Sequence, residues 1–132
     1  MLLTQSYAPG TVSTVVRLVV LDDDSLTRQM VVASAIAHGF DAVPASTVDE
    51  AHSLLMQRGR PRAILTDIDL RAGQSGISAS HVWASEFEDV QIIFMSGHLP
   101  DMIAGFHKRP KGSAFLQKPF TVDELVQALN SR

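Results

Sequence analysis

Four short apolar runs, each closing on a polar residue, restrict this chain to very few folds. Val15-Val16-Arg17-Leu18-Val19-Val20-Leu21 runs into Asp22-Asp23-Asp24. Ala63-Ile64-Leu65-Thr66 ends in Asp67, Val90-Gln91-Ile92-Ile93-Phe94-Met95 ends in Ser96, and Ala114-Phe115-Leu116-Gln117 ends in Lys118-Pro119. Such runs read as strands. They are too apolar for a sheet with one wet face, so both faces must be covered. Segments of helical character lie between them, and that alternation calls for parallel strands joined by right-handed crossovers. In an open parallel sheet the strand ends face one crevice, where ligands bind. The polar residues at these four ends would meet there.

The intervening segments carry their own signals. Ser25 is the expected cap of a helix over 26–38, with Leu26, Met30, Val31, Ala33, Ile36 and Ala37 as its apolar stripe and Gly39 as its stop. Phe40 to Val43 reads as a short strand with Pro44 at its margin. Thr47, with Glu50 three residues on, has the form of a capping box, and Leu54, Leu55 and Met56 supply apolar contacts. Gly59-Arg60-Pro61 breaks the chain before a strand over 62–66, and 67–76 is a loop holding Gly73 and Gly76. A helix over 77–86 offers Ile77, Val82 and Trp83 for burial. Another is expected over 99–107, beginning near Pro100, ahead of a loop marked by Pro110 and Gly112. The last helix, 122–130, has Thr121 as cap, Glu124 at N3, and Val122, Leu125, Val126 and Leu129 inward. The sum is five strands and five helices. Residues 1–14, rich in Ser, Thr, Pro and Gly, read as a flexible tail, which leaves 15–132 as one domain.

Composition narrows the class. With 132 residues, 45% of them apolar and 19% charged, the chain is long enough for a real core and too apolar for disorder. The net charge of -3 gives no broad basic face for nucleic acid. The one basic cluster, His107-Lys108-Arg109-Pro110-Lys111, is too small to argue for nucleic acid and reads as a solvated loop or the charged edge of an interaction face. There is no cysteine, hence no disulfide or thiol chemistry, which fits a reducing cytosol. No apolar run approaches the roughly 18 residues of a membrane span, and the start has no signal-peptide pattern.

The strand ends suggest chemistry. Asp22, Asp23 and Asp67 brought together would raise one another's pKa unless a cation were present, and a hard divalent ion such as magnesium resolves that repulsion. Asp24 has a separate use as negative charge at a helix N-terminus. Lys118 is a mobile point charge suited to a phosphate oxygen or a carboxylate, and the proline after it can adopt a cis bond. Ser96 offers a hydroxyl to a transferred phosphoryl oxygen, or a cap to the following helix.

On these residues the chain resembles the receiver domain of two-component response regulators over roughly 16–130. The pieces are Val-Val-Leu-Asp-Asp-Asp, Leu-Thr-Asp67, Phe-Met-Ser96-Gly and Phe-Leu-Gln-Lys118-Pro-Phe. The resemblance implies an α/β, flavodoxin-like, doubly wound (βα)5 sandwich with strand order 2-1-3-4-5. It implies that Asp67 is the phosphoacceptor, that Asp22 and Asp23, Asp23 most directly, organise magnesium with Asp67 and the backbone carbonyl of Asp69, and that manganese can substitute. It implies that Ser96 senses the phosphoryl group, that Lys118 is the catalytic lysine, and that Phe115 is the switch aromatic. The expected partners are a histidine kinase or histidine phosphotransfer protein and a downstream protein target. Nucleic acid and membrane are not expected, the location is cytoplasmic, and homodimerisation stays open.

The sequence also departs from the family pattern. Position 71 is Arg where a proline is usual, and the expected glycine, Gly76, stands nine residues after Asp67 rather than eight. The loop is therefore one residue longer. Gly97 stands where a small Ala is common, and His98 where the family varies residues that tune phosphoryl lifetime; with Asp69 these are the kinetics-tuning candidates. Two other readings compete. One keeps the fold without the chemistry, as a non-phosphorylated pseudo-receiver and constitutive interaction module, and rests on the lengthened loop. The other is an enzyme on small phosphorylated substrates, which would need a further acid-base group and a cap that no segment here supplies.

Overall fold

The apolar runs become five parallel strands in the computed structural model, which describes residues 17–57, 61–70 and 73–131. These are β1 (Arg17–Leu21), β2 (Asp41–Ala45), β3 (Ala63–Asp67), β4 (Gln91–Ser96) and β5 (Ala114–Gln117), paired in the order β2-β1-β3-β4-β5. Four α-helices are found among the described residues: α1 (Ser25–Ala37), α2 (Val48–Leu55), α3 (Gly76–Glu86) and α4 (Val122–Asn130). The doubly wound order is the expected one. Strand order reverses beside β1, so the crevice opens over the ends of β1 and β3. The tail 1–14, the first two residues of the expected strand, Gly59-Arg60 and Arg71-Ala72 lie outside the described residues.

Alternate residues of the central strands face opposite sides, and each side has its own core. Val19, Leu21, Ile64 and Phe94 pack with Leu55 of α2 and Trp83 of α3. Leu18, Val20, Leu65, Ile93 and Met95 pack with Val31 and Ala35 of α1 and Leu125 and Ala128 of α4. This two-sided burial is why the strand runs are apolar throughout.

Several elements differ from expectation, each for a physical reason. α1 is capped by Asp24, whose Oδ2 accepts the Thr27 N–H at 2.9 Å, and Ser25 is already helical. Its buried face is Val31 and Ala35; Leu26, Met30 and Ile36 are more than half exposed and Ala33 and Ala37 are exposed. From Met30 onward α1 is apolar almost all round, so periodicity selects no face. β2 continues through Pro44, which is tolerated because β2 is an edge strand and needs no donor on its outer side. At α2, Thr47 caps as expected, accepting from Glu50 N–H at 3.1 Å. The Glu50 carboxylate instead takes the Ser46 N–H at 2.7 Å, so the box closes one residue early. Met56 and Val82 are exposed, whereas Leu55, Ile77 and Trp83 are buried. At α4 the box is complete, with Thr121 and Glu124 exchanging both bonds.

The helix expected over 99–107 does not form. Two 3-10 turns, Pro100–Met102 and Phe106–Lys108, take its place, and the helix count is four rather than five. Gly105 separates them in the left-handed region, φ 76°, a corner that no continuous helix can pass. Phe106 is drawn inward, packing edge-on against Phe94 at 5.8 Å and Phe115 at 5.3 Å. No helix among the described residues is long and apolar enough to cross a membrane.

Candidate functional site

Where β1 stops, Asp22 is fully buried in the crevice, and each of its polar atoms has a partner. Its N–H donates to the Ala45 carbonyl at 3.2 Å. Its Oδ1 accepts the Asp24 N–H at 2.8 Å, its Oδ2 accepts Lys118 Nζ at 2.9 Å, and its carbonyl accepts Arg28 Nη1 at 2.6 Å. The end of β2, the start of α1 and the residue after β5 thus converge on one residue. Asp23 and Asp67 stand beside it, half-buried. One carboxylate oxygen from each of Asp22, Asp23 and Asp67 lies within 4.8 Å of the other two.

Lys118 directly follows β5 and precedes a cis bond to Pro119. Its Nζ lies 3.6 Å from Asp67 Oδ2 as well as 2.9 Å from Asp22. Its backbone N–H donates to the Ser96 carbonyl at 2.7 Å, which ties the end of β5 to the end of β4. Burial raises Asp67 to about 6, with Asp22, Asp23 and Asp69 adding repulsion and Lys118 offsetting part of it. Burial alone would lower Lys118; its hydrogen bond to Asp22 and the charge of Asp67 outweigh that and hold it above its ordinary value.

Three carboxylates against one ammonium leave negative charge uncompensated. An all-oxygen donor set with excess negative charge fits a hard divalent cation. The Asp22 oxygens already accept from the Asp24 N–H and from Lys118 Nζ.

The loop after β3 closes on itself. Asp69 and Ser75 form an antiparallel bridge whose ladder bonds come from their neighbours, Leu70 N–H to Gln74 carbonyl at 3.2 Å and Gly76 N–H to Ile68 carbonyl at 2.8 Å. Within that bridge the Asp69 carbonyl is not spent. Gly76 then opens α3 directly against β3, where a Cβ would collide with the Asp67 carbonyl oxygen. The extra loop residue therefore leaves the close-approach glycine in place.

Ser96 is buried, and its Oγ accepts the His98 N–H at 3.0 Å. Gly97 is exposed, with open space where a Cβ would be. His98 is exposed and, with Asp69, Gln74, Ser75, Met102 and Ile103, lines a cleft of about 520 Å³ beside the loop. Phe115 is half-buried and sits in the aromatic group with Phe106. His107, Lys108, Arg109 and Lys111 are exposed, and the Arg109 guanidinium lies 4.6 Å over the Phe106 ring.

Two residues of this region had no signal in the sequence reading. Arg28 sits one helical turn past the acidic pair and holds it through a backbone carbonyl, a bond that residue types do not reveal. Phe106 becomes the hinge of the aromatic group only because the expected helix is absent.

Comparison with known proteins bears on the fold and the family. Residues 18–130 match the sequence model of the response regulator receiver domain. No match was found among curated proteins. A response regulator receiver protein of Sinorhizobium medicae superposes with a TM-score of 0.79 at 21% identity, covering 89% of this chain and 94% of that one. The chemotaxis protein CheY4 of Vibrio cholerae superposes with 0.79 at 18% identity, covering 89% and 98%. NtrX of Brucella abortus, solved with ADP, gives 0.78 at 20% identity over 89% of this chain but only 27% of its own length. At such identities the structures speak for the fold, while the sequence match spans most of the chain; the protein belongs to the response regulator receiver domain family.

Proposed function

We propose that this protein accepts a phosphoryl group on Asp67 from a phosphohistidine of a histidine kinase or histidine phosphotransfer protein, in a magnesium-dependent reaction in the cytoplasm, and thereby switches a protein-binding surface. The observation that carries the reading is the placement of Lys118 Nζ 3.6 Å from Asp67 Oδ2, within the same crevice as three clustered carboxylates. Asp23, Asp67 and the Asp69 carbonyl would hold the ion. When bound, magnesium supplies Lewis-acid neutralisation of the phosphoryl oxygens.

The Asp67 carboxylate, ionised at neutral pH with a pKa of about 6, is the nucleophile. Its oxygen forms a bond to phosphorus as the phosphorus–nitrogen bond of phosphohistidine breaks and the imidazole leaves with the electron pair. Lys118 offsets charge on the oxygens in transit, so positioning and electrostatics do most of the work. The product is an acyl phosphate on Asp67. Ser96 Oγ would turn from the His98 N–H to donate to the new phosphoryl group, and Phe115 would follow into the space beside it. Water later hydrolyses the acyl phosphate.

The test is intact mass after incubation with magnesium and acetyl phosphate. An adduct of about 80 Da, one phosphoryl group, that requires both magnesium and Asp67 is expected. Absence of the adduct with either acetyl phosphate or phosphoramidate, together with failure to bind beryllofluoride, overturns the reading in favour of the constitutive interaction module.

A further inference from the structure

We propose that Arg28 is a positioning residue for the magnesium site, acting through the Asp22 carbonyl. The inference rests on the function proposed above. Asp22 and Asp23 sit in the turn between β1 and α1, outside both elements. Arg28 reaches back from the second turn of α1 and donates Nη1 to the Asp22 carbonyl at 2.6 Å. The Asp24 N–H meanwhile donates to Asp22 Oδ1, and the Asp24 carbonyl accepts the Arg28 N–H at 3.0 Å. Arg28 therefore grips the turn at both ends, by side chain at Asp22 and by backbone at Asp24, with Asp23 between them.

The Arg28 guanidinium donates to the backbone carbonyl of Asp22. It thus serves the site by geometry, fixing the backbone from which the Asp23 carboxylate projects. A lysine keeps the charge but lacks the planar fork and its reach, so it replaces Arg28 only in part. Groups that orient metal ligands from behind typically govern affinity by about tenfold or more.

The experiment compares wild-type protein with Arg28→Ala, Arg28→Lys and Arg28→Gln. Magnesium affinity is read by isothermal titration, and Asp24 amide hydrogen exchange is read by NMR in metal-free protein. Arg28→Ala should weaken magnesium about tenfold and speed Asp24 exchange, with Arg28→Lys intermediate. Phosphorylation by acetyl phosphate should recover to near the wild-type rate at saturating magnesium, since the reacting groups are intact. Unchanged affinity in Arg28→Ala, or a rate loss that saturating magnesium does not relieve, overturns the proposal. Thermal unfolding of each variant separates loss of fold from loss of ion binding, and Arg28→Lys decides the matter if Arg28→Ala unfolds. Were wild-type protein to take up no magnesium, the function proposed above and the magnesium-site role of Arg28 would both fall; magnesium uptake by wild type that Arg28→Ala leaves unchanged overturns the role of Arg28 alone.

Discussion

Replacing Asp67 by Asn should make the metal-free protein more stable at neutral pH. Burial holds the Asp67 carboxyl at about 6 in the folded chain, against 3.8 for the ordinary group. A carboxyl whose pKa rises on folding binds its proton more tightly in the native state. Its ionisation therefore opposes folding, beginning as pH passes 3.8 and reaching its full extent just above 6. One pKa unit corresponds to about 1.4 kcal/mol, so the gap amounts to about 3 kcal/mol before discount. Asp67 faces the open crevice on one side, where solvent screens it, and about 1–2 kcal/mol is the expected gain. Lys118 keeps Asp22 as a partner in the variant, so no new unpaired charge arises. The assay is urea unfolding in EDTA, followed by fluorescence of the buried Trp83, from pH 3.5 to 7.5. The stabilities of wild type and Asp67→Asn should converge at the acid end, diverge as pH rises from 3.8 to about 6, and keep a constant gap above that. Parallel curves, or a variant less stable at pH 7, would refute the account of Asp67 as a carboxylate kept charged against its surroundings.

Further outcomes follow from the same geometry. Magnesium at tenfold excess over its Kd should stabilise wild type by about 1.4 kcal/mol, with a much smaller effect on Asp23→Asn and Asp67→Asn, as read by thermal shift. Lys118→Ala strands the buried Asp22 carboxylate and should cost about 2–3 kcal/mol at pH 7 in urea unfolding. Because Lys118 is raised above 10.5, its contribution is complete below that pH and fades as pH rises beyond it, so the two proteins should approach each other in stability in strong alkali. Gly76→Ala drives a methyl into the Asp67 carbonyl and should destabilise by about 1–3 kcal/mol while slowing phosphorylation of Asp67 by acetyl phosphate. Thr121→Ala removes one arm of the α4 capping box and should cost about 1 kcal/mol without altering magnesium affinity.

The sheet was legible because β1, β3 and β4 are apolar on both faces and end on chemistry-bearing residues. Asp22, Asp23, Asp67, Ser96 and Lys118 could be placed together from strand ends alone, since parallel topology brings those ends to one side. The α1 face was not legible: with Met30, Val31, Val32, Ala33, Ala35, Ile36 and Ala37 nearly contiguous, only packing against the sheet decides which of them turn inward. Asp24 and Ser25 are both good caps, and the turn geometry around Asp22 selects the first. The expected helix over 99–107 had apolar residues at helical spacing, but Gly105 and the pull of the Phe94–Phe106–Phe115 group outweighed a weak propensity. Arg28 was invisible because its partner is a backbone atom.

The two 3-10 turns between β4 and β5 bear on which proteins can recognise this face. A partner that grips a regular helix reads side chains repeating every third or fourth position along one stripe. Between Ser96 and Ala114 no such stripe is offered: Leu99 and Met102 stand exposed on the first turn, and Gly105 redirects the chain before His107 and Lys108 emerge on the second. In this conformation a partner built to read a helix finds no such stripe here. Recognition along that edge calls for a surface that matches a cornered loop.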